Sequence, residues 1–399
     1  MPVGSSATSL YYKHVPRKIL ISAGEASGDL YAALLARKLK QRWPEAEFYG
    51  CTGPRMREAG VRTVVDAASL AVVGLVEVVA HVPRIYGEYR KLLAAARRVP
   101  PDLAILTDSP DFHLRLAARL KAAGIPIVYL VAPQVWAWRQ GRLGQMRRVI
   151  DQLLCIFPFE EEFFRHNNIP VTYIGHPLST RVKPSMPKLE FFKKHRLPAD
   201  RPCIVVLPGS RRGEAARHLG TLIEVVNRLY QVSASTFLLP ASVTTGAAFF
   251  RERIGRAPIQ VLEGETWDAI GHADLALAAS GTVTVEAALL GTPMVTFYKV
   301  SPISWFLGKR FVKAPFLSMV NLVAGRKIVP ELMQSEFTVA GLAEEARRLL
   351  TDEAARRQMK TDLAEVAARL TVDSDPMDRA VIAVRALMQR LNKEEPIHV

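Results

Sequence analysis

Cysteine is scarce: Cys51, Cys155 and Cys203 are the only three in 399 residues, and no two form a C-x-x-C pair. An odd, scattered set argues against a disulfide framework and predicts a cytoplasmic, reducing compartment. No His/Cys cluster has metal-ligand spacing. The one formal D-x-D, in "VDSDP" (372–376), lies between two helical patterns, where Ser, Asp and Pro start a helix. Neither metal nor cofactor is therefore expected. No apolar run reaches the roughly 20 residues that a bilayer span needs. The start of the chain, "MPVGSSATSLYYKHV", lacks the apolar stretch of a secretory signal, and residues 1–16 are expected to be flexible. Neither half contains G-x-G-x-x-G or G-x-x-x-x-G-K-[ST], which disfavours NAD and ATP.

Acidic residues are outnumbered, 38 against 53 Lys and Arg, for a net charge of +15. Such an excess suits phosphate-rich partners: nucleic acid, an anionic membrane or phosphorylated small molecules. Clusters such as "RKLLAAARR" (90–98), "RQGRLGQMRR" (139–148) and "KKHR" (193–196) also read as solvated helix faces. Zinc-finger spacing and RNA-recognition aromatics are both missing, so no nucleic-acid partner is expected.

Apolar residues make up 49% and charged residues 23%, an ordinary globular balance over a length that suits two cores. Short apolar runs alternate with helix-length amphipathic runs. Strands are predicted at 18–23, 46–51, 61–65, 103–107, 126–131, 152–156 and 171–174, with helices between most of them. Continuous apolar strands alternating with helices imply a parallel sheet covered on both faces. A proline-rich stretch, "HPLSTRVKPSMPK" (176–188), reads as a linker. The alternation then restarts at 203–207, 235–239, 258–262, 274–278 and 293–298, and the chain finishes with helices near 338–350, 353–370 and 377–392. The pattern predicts an α/β protein of two doubly wound, Rossmann-like domains facing across a cleft, 17–180 and 181–350. Helices in 351–399 would pack back on the first domain or on a partner subunit.

Ligands of such sheets bind beyond the carboxyl ends of the strands, which selects the residues to weigh. After 203–207 comes "PGSRRGE": Gly209 permits close approach, Ser210 offers a hydroxyl and Arg211 a fork of donors for phosphate oxygens. An ordinary Pro-Gly turn would look the same. After 274–278 comes "ASGTVTVE". Ser280, Gly281 and Thr282 open a helix, and Glu286, one turn on, could accept two hydrogen bonds from a ribose diol. A Ser N-cap and a favourably placed acid account for them equally. In the first half, "LTDSPDF" puts Asp108 directly after its strand, while Asp111 has an N-cap position open to it. Asp108 has no such local job and is the candidate general base. "SAGEASGD" places Glu25 and Ser27 in the first strand-to-helix turn, where Glu25 binds substrate or braces the turn. Gln134, Trp136 and Arg139 could line a sugar or acyl pocket, although Trp is often core. His176 could bridge the domains or start a turn.

Together "SAGEASGD", "GCTGPRM", "VVGLVEV", "DSPDF", "VWAWR", "FPFE", "IGHPL", "LPGSR", "ASGT" and "NLVAGR" resemble the lipid-A-disaccharide synthases, from about residue 18 to the end. The resemblance implies an inverting GT-B glycosyltransferase of Gram-negative lipopolysaccharide synthesis. It would join UDP-2,3-diacylglucosamine to 2,3-diacylglucosamine 1-phosphate and release UDP. It also implies an essential acid at Asp108, a phosphate-binding arginine at Arg211, a donor-site asparagine at Asn321 and, by likeness to other UDP-sugar transferases, a ribose acid at Glu286. Val320 stands where a proline is expected, and His113 where asparagine is frequent. A homodimer through the C-terminal helices is a further expectation.

Acylated substrates give a reason for "AVVGLVEVVAHVPRIYGEYRKLL" (71–93). Val72, Val73, Leu75, Val76, Val79 and Ile85 would sit in the membrane interface while Arg84, Arg90 and Lys91 meet anionic headgroups. A buried helix of the first domain is the plainer reading. The expected location is peripheral, on the inner face of the inner membrane. Rival readings are another GT-B UDP-N-acetylglucosamine transferase, a UDP-sugar epimerase, or a membrane-surface binding protein without catalysis.

Overall fold

The structure is a computed structural model that describes residues 16–70, 75–300 and 314–394. Side chains are described from residue 82 in the helix that begins at Leu75, and through residue 392 at the far end. Contacts divide the chain into two units. One runs up to Pro177 and resumes at Val372; the other is Leu178–Thr371.

The first unit carries seven strands: β1 Lys18–Ala23, β2 Glu47–Thr52, β3 Arg62–Asp66, β4 Leu103–Thr107, β5 Ile127–Leu130, β6 Gln152–Cys155 and β7 Val171–Tyr173. They form one parallel sheet in the order β3-β2-β1-β4-β5-β6-β7. Central strands β4, β5 and β6 are buried along their whole length, as continuous apolar runs require when helices cover both faces. The second unit repeats the plan with β8 Cys203–Leu207, β9 Thr236–Ala241, β10 Ile259–Glu263, β11 Leu275–Ala279, β12 Met294–Tyr298 and β13 Glu331–Met333, all parallel, in the order β10-β9-β8-β11-β12-β13. Strand β13 escaped the sequence reading because three half-buried residues, one of them Glu331, give no apolar run.

Strand order locates the sites. In the first sheet the chain steps outward from β1 to β2 and β3, then returns to lay β4 on the other side of β1, with Ala23 paired to Thr107. The loops after β1 and β4 thus splay apart at a topological switch point, where ligands of such sheets bind. In the second sheet the switch lies between β8 and β11. "GEASGD" and "DSPDF" leave the first pair of strands; "PGSR" and "ASGT" leave the second.

Two expectations change. Helix Glu353–Leu370 packs within the second unit, where Arg326 pairs with Asp362 at 2.9 Å and Arg369 donates to the Val323 carbonyl at 2.9 Å. Only helix Pro376–Glu394 returns to the first unit, packing on helix Ala26–Arg42 and β6. The returning chain starts that helix as its sequence suggested: Asp375 accepts from the Met377 N–H at 2.8 Å and pairs with Lys38 at 3.3 Å.

Residues 71–93 become mostly helix, Leu75–Arg98, with Pro83 inside it. Val72 and Val73 lie outside the described residues, and so do the side chains of Leu75, Val76 and Val79. Ile85 is a correction. It is half-buried and, with Tyr89, Leu92 and Ala96 at helical spacing, packs against the core of the first unit. A neighbouring stripe carries Val82, Tyr86 and Arg90, all exposed, and Arg84 and Lys91 are exposed farther round the helix. Lys91 pairs with Glu88 at 2.8 Å. Among the described residues no helix is long and apolar enough to cross a membrane.

Candidate active site

Asp108 leaves β4 in a left-handed conformation, φ +56°, and Ser109 follows at +39°. Two consecutive non-glycine residues there are strained by roughly 1–3 kcal/mol each, so something must hold them. The Asp108 carbonyl accepts from the Tyr129 hydroxyl at 2.6 Å and from His113 Nδ1 at 2.9 Å. A carbonyl can only accept, so the imidazole proton sits on Nδ1 and Nε2 accepts from the Ser22 hydroxyl, 2.7 Å away. His113 is fully buried, and burial pushes it down to about 4, so the ring stays neutral.

The turn aims the Asp108 carboxylate at the start of helix Ala26–Arg42. Its oxygens accept the N–H groups of Gly24 at 2.9 Å and Glu25 at 3.0 Å. A Cβ on Gly28 would stand 1.7 Å from Oδ2, and one on Gly24 would stand 2.4 Å from the Ser109 hydroxyl. Gly28 is therefore space for the Asp108 carboxylate and Gly24 space for the Ser109 side chain. Burial raises this carboxyl to about 7, against the hydrogen bonds from Gly24 N–H and the Ser109 hydroxyl, which lower it; the Glu25 charge adds to the rise. The side chain is still 14% exposed. A reachable, poorly hydrated carboxyl that titrates near neutrality can accept a proton from a substrate hydroxyl.

Of the other residues expected at the cleft, Glu25 and Gln134 are exposed and Ser27 is half-buried. Trp136 is half-buried, donates Nε1–H to Glu160 at 3.1 Å and stands edge-on to Phe159. Glu160 is almost wholly buried and also accepts from the Phe157 N–H at 3.2 Å; burial pushes it up to about 8. Asp111 does not cap helix Pro110–Ala122. Ser109 holds the cap position, and Asp111 in the first turn receives Arg139, at 3.0 Å, and Arg142. Asp29, in the first turn of helix Ala26–Arg42, accepts from the N–H groups of Gly53, Arg55 and Met56 and so caps the short helix Pro54–Glu58. His176 is corrected too. At 1% exposure, edge-on to Tyr31 and against Phe157, it offers no surface to a ligand, and burial pushes it down to about 3.

At the second switch point Gly209 has φ +118°, and a Cβ there would meet Glu214 at 2.5 Å. Ser210 and Arg211 are exposed, while the Ser210 carbonyl is held by Thr245 at 2.8 Å and Ser242 at 3.1 Å. Buried His218 donates Nδ1–H to the Pro208 carbonyl at 2.8 Å and accepts the Lys299 N–H at 3.0 Å, joining the exits of β8 and β12. Gly281 and Thr282 are exposed at the start of helix Thr282–Leu289, an arrangement that can hold an anion. Ser280 donates its hydroxyl to the Leu317 carbonyl at 3.0 Å. Glu286 is half-buried and accepts from Trp267 Nε1 at 3.0 Å.

Asn321 is not a ligand group. It is 0% exposed, its amide donates to the Val329 carbonyl and to Glu331, and its oxygen accepts from Ile328 and Val329 N–H. All its hydrogen-bonding capacity is spent inside the fold. Glu331 also takes the N–H groups of Leu317 and Ser318 at 3.1 and 2.9 Å. Asn321 thus positions the segment on which Ser280 rests. Tyr129, Ser22 and Glu160 went unread in the sequence. A tyrosine in an otherwise apolar strand is a signal for a buried partner, but nothing in sequence says which. Among the described residues no group of three His, Cys, Asp or Glu could hold a metal ion.

The family described as lipid-A-disaccharide synthetase matches residues 19–381. The chain belongs to the lipid-A-disaccharide synthase family. The synthase of Solibacter usitatus is 63% identical over 372 residues, covering 93% of this chain and 98% of its own. That of Koribacter versatilis is 43% identical, covering 94% and 99%. Members are glycosyltransferases, and this chain is an enzyme of that class. Among solved structures, Staphylococcus aureus MnaA in complex with UDP aligns with a TM-score of 0.66 at 14% identity, covering 95% of this chain and 99% of its own. At that identity the likeness is one of fold: two doubly wound α/β units, as in the glycosyltransferases and epimerases it groups with.

Proposed function

We propose that this lipid-A-disaccharide synthase family member transfers the sugar of UDP-2,3-diacylglucosamine to O6 of 2,3-diacylglucosamine 1-phosphate. The products are the β-1,6-linked disaccharide 1-phosphate and UDP. The observation that carries the reading is the Asp108 carboxyl: clamped at a switch point, reachable, and titrating near 7. Asp108 takes the proton of the acceptor O6 as that oxygen bonds to the anomeric carbon. The bond from that carbon to the UDP oxygen breaks on the opposite face, inverting the centre. Fixed donors of the second unit, Gly209, Ser210, Arg211 and the Ser280–Thr282 turn, receive the charge left on the diphosphate. Glu286 takes the ribose. Incubation of the protein with both lipids should yield one new disaccharide mass and one UDP per turn; absence of that product would overturn the reading.

Arg211→Ala and Glu286→Ala should each weaken UDP binding by about 10- to 100-fold, the worth of one charge-assisted hydrogen bond, with the melting transition unchanged. Calorimetric titration returning unaltered affinity would remove these residues from the donor site.

The outer stripe of helix Leu75–Arg98, with Val82, Tyr86 and Arg90 exposed, suits a peripheral seat on an anionic inner-membrane surface. Each basic residue near such a surface is worth about 1 kcal/mol. Tyr86→Glu with Arg90→Glu should therefore cut sedimentation with phosphatidylglycerol vesicles severalfold, while binding to neutral vesicles stays low. Equal sedimentation of both proteins would rule this stripe out.

A further inference from the structure

We propose that Arg139 and Arg142 form the seat of the acceptor's phosphate, an inference that rests on the function proposed above. Strand β5 lies beside β4, with Thr107 paired to Leu130, so the segment that follows β5 emerges next to Asp108. That segment delivers both arginines to one carboxylate. Arg139 Nη1 donates to the two oxygens of Asp111 at 3.2 and 3.0 Å, and Arg142 Nη2 donates to Asp111 Oδ1. Asp111 is three residues beyond Asp108, in the first turn of helix Pro110–Ala122.

The cluster is built, and it is unbalanced. Two guanidinium groups face one carboxylate, leaving an excess positive charge. Arg142 is only 16% exposed, so water dilutes its charge little, whereas Asp111 is 68% exposed. Arg139 lies over the Trp138 ring at 4.3 Å. It also adopts φ +58°, a conformation that a solvent-facing ion pair gains too little to repay. A phosphate monoester, close to doubly charged at neutral pH, matches two guanidinium forks better than one carboxylate does. Asp111 then acts as a placeholder that keeps both forks aimed when no phosphate is bound.

The test compares two acceptors, 2,3-diacylglucosamine 1-phosphate and the same lipid without the phosphate, on the unaltered protein and on Arg139→Gln, Arg142→Gln and the double variant. Each arginine removed should raise KM for the phosphorylated acceptor by about 10- to 100-fold. KM for the phosphate-free acceptor and for the UDP-sugar should stay as in the unaltered protein. Equal losses on both acceptors, or no loss on either, would overturn the assignment. Asp111→Asn guards against a merely misfolded loop: it should keep or lower KM for the phosphorylated acceptor. A loss there matching that of the arginine variants would mean that the three residues serve the loop, and the proposal would fall. Failure of the unaltered protein to make disaccharide from either acceptor would instead strike the proposed function, and this assignment with it.

Discussion

Asp108→Asn should lower turnover by about 10²- to 10⁴-fold, the range for loss of a positioned general base, with UDP affinity intact. The amide matches the carboxylate in size and can still accept one of the two N–H groups that now converge on it from Gly24 and Glu25. What it loses is the capacity to take a proton. The same carboxyl sets a pH dependence. Its folded value lies near 7, above the ordinary carboxylate range, because the site withholds water. A base must be ionised to act, so kcat/KM should fall as pH drops below about 7 and level off above it. His113 stays neutral through this window, so it does not move the limb. Full turnover in Asp108→Asn, or a profile flat from acid to neutral pH, would take Asp108 out of the chemistry.

Gly28→Ala should be nearly as damaging, although glycine-to-alanine changes inside a helix ordinarily stabilise by about 0.5–1 kcal/mol. The added methyl would fall 1.7 Å from Asp108 Oδ2 and 2.8 Å from its carboxyl carbon. The helix is packed on the sheet, and the Asp108 backbone is tied by Tyr129 and His113, so the carboxylate is what yields. Rotating away, it forfeits the Gly24 and Glu25 N–H groups and its aim. Turnover should collapse while the melting temperature holds or rises. That split distinguishes displacement of a base from simple unfolding. Normal turnover in Gly28→Ala would mean that the carboxylate acts from some other position.

Much of this was legible in the chain. Twelve apolar runs became strands, each within two residues of its expected limits. A strand buried on both faces must be apolar throughout, and its ends are punctuated by Gly, Pro and Asp. Asp108 stood out because no helix-capping duty accounted for it. Residues whose work depends on a partner far along the chain were less legible. Asn321 was expected at the donor site from the family resemblance, and His176 was expected to bridge the domains or start a turn. Burial then showed that Asn321 ties residues 317–331 together and that His176 is packed among rings. Ile85 read as a membrane contact until helical spacing turned it onto the core.

Local chemistry therefore determined the alternation of strand and helix, the two-unit plan and the loops that carry function, since these depend on propensity and pattern over a few residues. Tertiary structure decided which loops share a switch point, why Gly24 and Gly28 must lack a side chain, and how a serine, a histidine and a tyrosine 107 positions apart from first to last hold one aspartate in a strained turn. Those are contacts across the sheet, set by strand order, and no stretch of sequence contains them.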